Sequence, residues 1–245
     1  MFPSRRPPLR LFVWMLPLLV TAGGLRPEPG ASSPPPEERP AWLIDRPISF
    51  SAWRKRETLN YIREHYDPRA DSIVIQPRIV VVHWTAINSL EKSWAYFNVE
   101  RANPRRKALY NAGKVNVGIH FMVGRDGTVL RLMPETWMAR HCVGINRHSI
   151  GIENVGGPKT PLTDAQLKAN VKLIRYLKER HDIRYLIGHS EYLGFDRTRY
   201  WEELDPNYRS RKIDPGDDFM RRLRARLRDL GLKSRPGEDV RSKKF

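Results

Sequence analysis

The chain has 245 residues, 44 lysines and arginines against 27 aspartates and glutamates, and a formal net charge of +17 at pH 7. With 40% hydrophobic residues and one cysteine it can bury a sizeable core, which excludes a disulfide-stapled scaffold and a wholly disordered chain. The cationic excess draws polyanions by long-range attraction, but no recognisable nucleic-acid motif accompanies it.

Arg5, Arg6 and Arg10 precede an apolar segment from Leu11 to Ala22, and Val20-Thr21-Ala22 offers small residues for cleavage. That is the pattern of a secretory signal peptide over residues 1–22, too short to span a hydrocarbon core of about 30 Å. Residues 23–40, including Pro34-Pro35-Pro36-Glu37-Glu38, read as a Pro-rich linker that cannot bury enough apolar surface to order itself. Residues 41–232 have the length of one domain, and 233–245, with Arg241, Lys243 and Lys244, read as a basic tail. No later segment is apolar enough to be transmembrane, so an exported protein, periplasmic or extracellular, with no stable membrane span after signal removal is expected.

Within the domain, Trp53 to Tyr66 reads as a helix ended by Asp67-Pro68, and Ile79 to His83 as a buried strand. Asn88 with Glu91 suggests a capping box for a helix presenting Leu90, Trp94 and Phe97 on one face. Val115 to Val123 and Val129 to Leu132 form a hairpin around Arg125-Asp126-Gly127. On the strand Ser149 to Glu153, period-two alternation puts Ile150 and Ile152 on one face and Ser149, Gly151 and Glu153 on the other. Thr163 with Gln166 is a second capping box, with Leu162 and Leu167 as a hydrophobic staple, and the helix runs on through Val171, Ile174 and Leu177. Strand Tyr185 to Gly188 follows, and an amphipathic helix from Asp217 through Leu230 closes the domain. Strands alternating with helices give an α/β fold: a single domain with a central mixed β-sheet flanked by helices.

Two of these strands end in a histidine, His83 and His189, and the polar tract Arg211-Lys212-Ile213-Asp214-Pro215-Gly216 follows the second. Two rigidly held imidazoles and a carboxylate are the inventory of an open catalytic zinc site, with three protein ligands and a fourth position for water. A single strand-end histidine is more commonly a hydrogen-bonded structural residue. The long separation of His83 from His189 lacks the support of a local H-x-x-x-H motif.

The sequence between and after them adds ordered blocks: Val117-Gly118-Ile119-His120-Phe121 running to Arg125-Asp126-Gly127-Thr128, then Ser149-Ile150-Gly151-Ile152-Glu153, Gly188-His189-Ser190-Glu191, and the Arg211 tract. In this order, from about Ile73 to Phe219, they resemble the type 2 zinc-dependent N-acetylmuramoyl-L-alanine amidases. That superfamily includes bacterial cell-wall recycling amidases, phage amidase-type lysozymes and animal peptidoglycan-recognition proteins. The resemblance implies Zn2+ on His83, His189 and Asp214, with Glu153 and Lys212 as catalytic residues. The tyrosine that animal and phage members carry before the histidine of the H-F tract is here Ile119, which shifts the burden to Glu153. The W-H-A-G tract appears as Arg140-His141-Cys142-Val143-Gly144, keeping His141 as a substrate contact but losing the tryptophan.

The function so implied is an exported amidase hydrolysing the N-acetylmuramoyl–L-alanine amide bond of peptidoglycan, with zinc-bound water as nucleophile. The partners would be peptidoglycan or muropeptides, whose acidic character suits the charge, and not nucleic acid. The alternative is a non-catalytic peptidoglycan-binding module, which would be expected to lack at least one ligand. Glu153 would take the water's proton and return it to the leaving amine, and Lys212 would face the developing oxyanion. His120 is expected to be structural, His65 and His181 to complement helix ends, His148 to be exposed, and Cys142 to be a buried inert thiol. The aromatic stretch Tyr192 to Ser210, with Phe195, Tyr200, Trp201 and Tyr208, either lines the cleft, with Trp201 touching substrate, or covers a small core of its own.

Overall fold

The computed structural model describes residues 40–237. The signal peptide, the linker up to residue 39 and the end of the basic tail from residue 238 lie outside the described residues. The run Ile79-Val80-Val81-Val82 is β-branched throughout and almost wholly inaccessible, as expected of a strand covered on both faces. It is the heart of β2 (Ile79–Trp84), which lies between β5 (Ser149–Asn154) and β6 (Tyr185–Gly188), parallel to both. Beyond β5 come β3 (Phe121–Val123), β4 (Val129–Arg131) and β1 (Leu43–Asp45), giving the order β1-β4-β3-β5-β2-β6. Only the β3–β4 hairpin is antiparallel, so the sheet is mixed, as expected.

Alternation sorts the side chains of the central strands between two faces. Val80, Val82, Ile150, Ile152 and Leu186 join one core with Leu173, Ile174 and Leu177 of α4 (Asp164–Arg180) and Phe219, Met220 and Leu223 of α5 (Asp217–Arg226). Ile79, Val81, Tyr185 and Ile187 face the opposite way and pack on Cys142, Ile145, Tyr192, Phe195 and Tyr200. The aromatic stretch after β6 is therefore largely core of the second face. Further along that face, Met122 and Leu130 pack with Phe97 of α2 (Leu90–Asn98). A separate cluster holds Tyr61 and Ile62 of α1 (Ala52–His65) against Ile73, Ile75 and Val115.

The helix starts follow local chemistry. Ser51 caps α1 by accepting from the Arg54 amide, and Thr163 with Gln166 forms the expected capping box of α4. At α2 the cap is Ser89, accepting from Lys92 N–H, so the N-cap falls one residue later than Asn88 and the box expected with Glu91 does not form. Val115 to His120 does not join the ladder: Asn116 donates to the carbonyls of Tyr96 and Val99, Gly118 N–H to Arg140, and pairing begins only at Phe121. α5 stops at Arg226 and the chain continues as a short 3-10 turn to Leu230, closed by Gly231 at φ 63°. Past that turn, Lys233 exchanges hydrogen bonds with Arg184 and Leu186 at the sheet edge. Among the described residues no helix is long and apolar enough to cross a membrane.

Candidate metal centre

Three chain segments deliver His83, His189 and Asp214 to one point. His83 is the penultimate residue of β2, on the face of Ile79 and Val81, His189 is the first residue beyond β6, and Asp214 lies in the loop before α5. The Ser190 amide donates to the Asp214 carbonyl at 2.9 Å, joining the last two segments. Glu191 steadies the turn by accepting from Gly188 N–H at 2.7 Å, and Arg224 of α5 donates to the same carboxylate at 3.0 Å. Gly188 permits the approach: a Cβ there would stand 2.8 Å from Cδ of Pro215.

The Nδ1 atoms of His83 and His189 are 2.9 Å apart, and Oδ2 of Asp214 lies 3.2 Å from the first and 3.0 Å from the second. Four donors at zinc bond lengths of 2.0–2.1 Å in tetrahedral array stand about 3.3 Å from one another. The trio is therefore near the spacing a metal needs, with donor types suited to zinc and all three residues buried. Burial disfavours a charged Asp214, but the adjacent His189 and His83 imidazoles outweigh it and hold the carboxyl well below its usual range. His189 is pushed down to about 4, by burial first and by the charge of His83 second.

A hydrogen-bonded chain behind His83 sets its tautomer. The Ser149 hydroxyl donates to the Ile145 carbonyl at 2.9 Å and so accepts from Nε2–H of His141 at 3.2 Å. Nδ1 of His141 then accepts from Nε2–H of His83 at 3.0 Å, leaving the His83 Nδ1 lone pair directed at His189 and Asp214. Burial, and then the charge of His83, keep His141 neutral by lowering its pKa far below the ordinary imidazole range. Gly151 makes room for this ring, since a Cβ there would meet His141 Cγ at 2.9 Å and Ile119 Cδ1 at 2.3 Å.

Glu153 is the register partner of His83 on β5, so both side chains leave the same sheet face one strand apart. Its Oε2 is buried with no hydrogen-bond partner in the protein. Burial raises its pKa well above the usual carboxylate value; the charge of Asp214 adds to this and Lys212 opposes it. All of these groups line one cleft of about 650 Å³, whose walls include Tyr61, Tyr96, Arg106, Leu109 and Tyr208.

Of the two residues expected to touch substrate, His141 lines the cleft and Trp201 does not. Both ring nitrogens of His141 are hydrogen-bonded within the protein. Trp201 stacks on Tyr192 at 5.9 Å and covers Gly144, and it is not among the residues lining the cleft; of the aromatic stretch, Tyr192 and Trp201 pack inward while Tyr208 reaches the wall. His120 is structural, accepting from Gly151 N–H and donating to the Trp137 carbonyl. Burial takes its pKa down to about 4. His148 is half-buried against Tyr200 and Glu202 instead of exposed. His65 is buried between Glu203 and the Ala112 carbonyl, at 2.8 Å from each. Cys142 is buried, and burial pushes its thiol up.

Arg140 also lines the cleft. This buried cation donates to the carbonyls of Leu109, Gly113 and Val115 and to the Tyr208 hydroxyl, tying the short helix α3 (Lys107–Asn111) to the cleft wall. Its only sequence signal is a charged residue next to a histidine in an otherwise apolar tract.

The sequence pattern of the N-acetylmuramoyl-L-alanine amidase family matches residues 74–217. The endolysin of Klebsiella phage KP32 is 32% identical over 102 residues, covering 37% of this chain and 68% of its own. The Escherichia phage T7 endolysin matches with the same identity and coverage. Among solved structures, the chain is similar to the N-acetylmuramoyl-L-alanine amidase LysC from Clostridium intestinale, at 20% identity and a TM-score of 0.48. That likeness covers 78% of this chain and 98% of the other.

Proposed function

The chain belongs to the N-acetylmuramoyl-L-alanine amidase family and is an amidase-type hydrolase of peptidoglycan, and from that premise we propose a zinc-dependent enzyme cleaving the bond between the lactyl group of N-acetylmuramic acid and L-alanine. The reading is carried by the convergence of His83, His189 and Asp214 within hydrogen-bond distance of one another, with Glu153 beside His83 on the same sheet face. Bound zinc would polarise the amide carbonyl and lower the pKa of water at its open position from 15.7 toward about 7.

The protein's own groups do the remainder. Ser149 and His141 hold His83 with its Nδ1 lone pair presented to the metal. A carboxylate oxygen of Glu153 accepts the proton of the attacking water and delivers it to the leaving amine nitrogen. Its burial favours the protonated form needed for that second transfer, and positive charge brought into the site favours the ionised form needed for the first. The Lys212 ammonium, which lines the same cleft, faces the carbonyl oxygen as negative charge develops. The substrate would be peptidoglycan or its muropeptides, met after export to the periplasm or the extracellular space. The signal peptide that would direct this lies outside the described residues.

The test is mass-spectrometric product analysis of the protein with a defined N-acetylmuramyl peptide, with and without a chelator. Release of free stem peptide and intact N-acetylmuramic acid, abolished by chelation and restored by zinc, is the expected result. Peptide held without cleavage by protein shown to contain zinc would replace the enzyme by a binding module.

A further inference from the structure

The three parallel strands that carry the metal site at their C-terminal ends have an arginine just before each N-terminal end or close to it. Arg78 precedes β2, Arg184 precedes β6, and Arg147 stands two residues before β5. With Arg199 they line a cavity of about 580 Å³ whose wall includes Tyr200 and His148. Two carboxylates serve this cluster. Asp182 pairs with Arg184 at 2.6 Å and with Arg78 at 3.5 Å, and Glu202 lies 3.5 Å from Arg147 and 3.3 Å from His148. Arg199 lies over the Tyr200 ring and donates to its hydroxyl at 3.1 Å, and no carboxylate pairs with it among the described residues. Its charge and that of Arg184 oppose each other.

Four guanidinium groups against two carboxylates leave a local excess of two positive charges in a concave site, where field lines concentrate. A planar carboxylate engages one guanidinium fork edge-on, whereas the terminal oxygens of a phosphate can accept from several forks converging from different directions. The volume exceeds that of a bare phosphate, so the oxyanion would be carried on a larger molecule. We propose that this cavity is a second binding site, distinct from the metal centre, that takes a phosphate ester through Arg78, Arg147, Arg184 and Arg199. The five residue steps from Arg78 to His83 along β2, at about 3.3 Å each, put the site roughly 17 Å from His83. An occupant would leave the cleft open.

The test is calorimetric titration of the full chain with inorganic phosphate and with glycerol 1-phosphate at low ionic strength. Arg184→Gln/Arg199→Gln removes two side chains that hold no backbone group in place. Arg221→Gln/Arg228→Gln changes the net charge equally at a distance. Binding of one ester per chain, weakened at least tenfold in the first variant and unchanged in the second, is expected. Equal weakening in both, or no binding by the unaltered chain, would overturn the proposal. Binding lost in His83→Ala but kept in Arg184→Gln/Arg199→Gln would assign the anion to the metal centre, and would also overturn it. Cosedimentation with phosphatidylglycerol vesicles but not phosphatidylcholine vesicles, lost in Arg184→Gln/Arg199→Gln, would identify a lipid headgroup as the source. Ester binding in solution without such cosedimentation would identify a soluble ester.

Discussion

The imidazole of His83 does two jobs that its two nitrogens keep apart. Nδ1 faces His189 and Asp214, and Nε2 donates into the His141–Ser149 chain. His83→Ala removes a proposed ligand and is expected to abolish zinc retention, read by elemental analysis, together with turnover. Glu153→Gln should separate the two: zinc content stays, while kcat falls by about 10²–10⁴-fold, the usual worth of a positioned proton-transfer group. Replacing His141 by Phe keeps much of the ring volume but leaves Nε2–H of His83 without its acceptor. Zinc affinity measured by chelator competition should then weaken by about 10–100-fold, as for other groups that orient a metal ligand. Unchanged affinity would remove His141 from that role. The glycines at 151 and 188 act by omission, each leaving room for a group that a methyl would strike.

At the level of elements, the parallel trio β5-β2-β6 aligns its C-terminal ends, and that alignment gathers His83, Glu153 and His189. Open α/β sheets present ligands at the carboxyl ends of their strands for this reason. Helices α4 and α5 cover the face turned away from the site and hold the strands flat against one core. The segment after β6 closes the other face with Tyr192, Phe195 and Tyr200, and Trp201 stacks on the first of these. Trp201→Ala should therefore cost about 2 kcal/mol in urea unfolding, part of the range for large-to-small core changes because the ring is only half-buried. KM for a muropeptide should change little. A raised KM with unchanged stability would return Trp201 to the cleft.

Across the whole molecule, charge and burial are unevenly placed. His65 of α1 is joined to Glu203, far along the sequence, in a buried ion pair that anchors the segment after β6. Burial alone would depress the His65 pKa, but the hydrogen bond and charge of Glu203 outweigh it and the net shift is upward. A histidine with a raised folded-state pKa stabilises fully below its unfolded value near 6.5, and the contribution fades as pH rises through the folded value. The stability gap between the unaltered protein and His65→Gln should thus narrow as urea midpoints are followed from pH 6 to pH 9. A constant gap would mean that the imidazolium is not the stabilising form. Local patterning in the sequence was enough for β2, β4, β5 and β6, the α4 capping box, the mixed α/β architecture and the ordered tracts that mark the family, because backbone periodicity and caps depend on near neighbours. Only the folded chain decided that His141 hydrogen-bonds His83, that Trp201 packs inward, that Arg140 is buried, and that four arginines from separate segments share one cavity. Those outcomes depend on which distant segments the sheet order and the core bring together, and no local pattern carries that information.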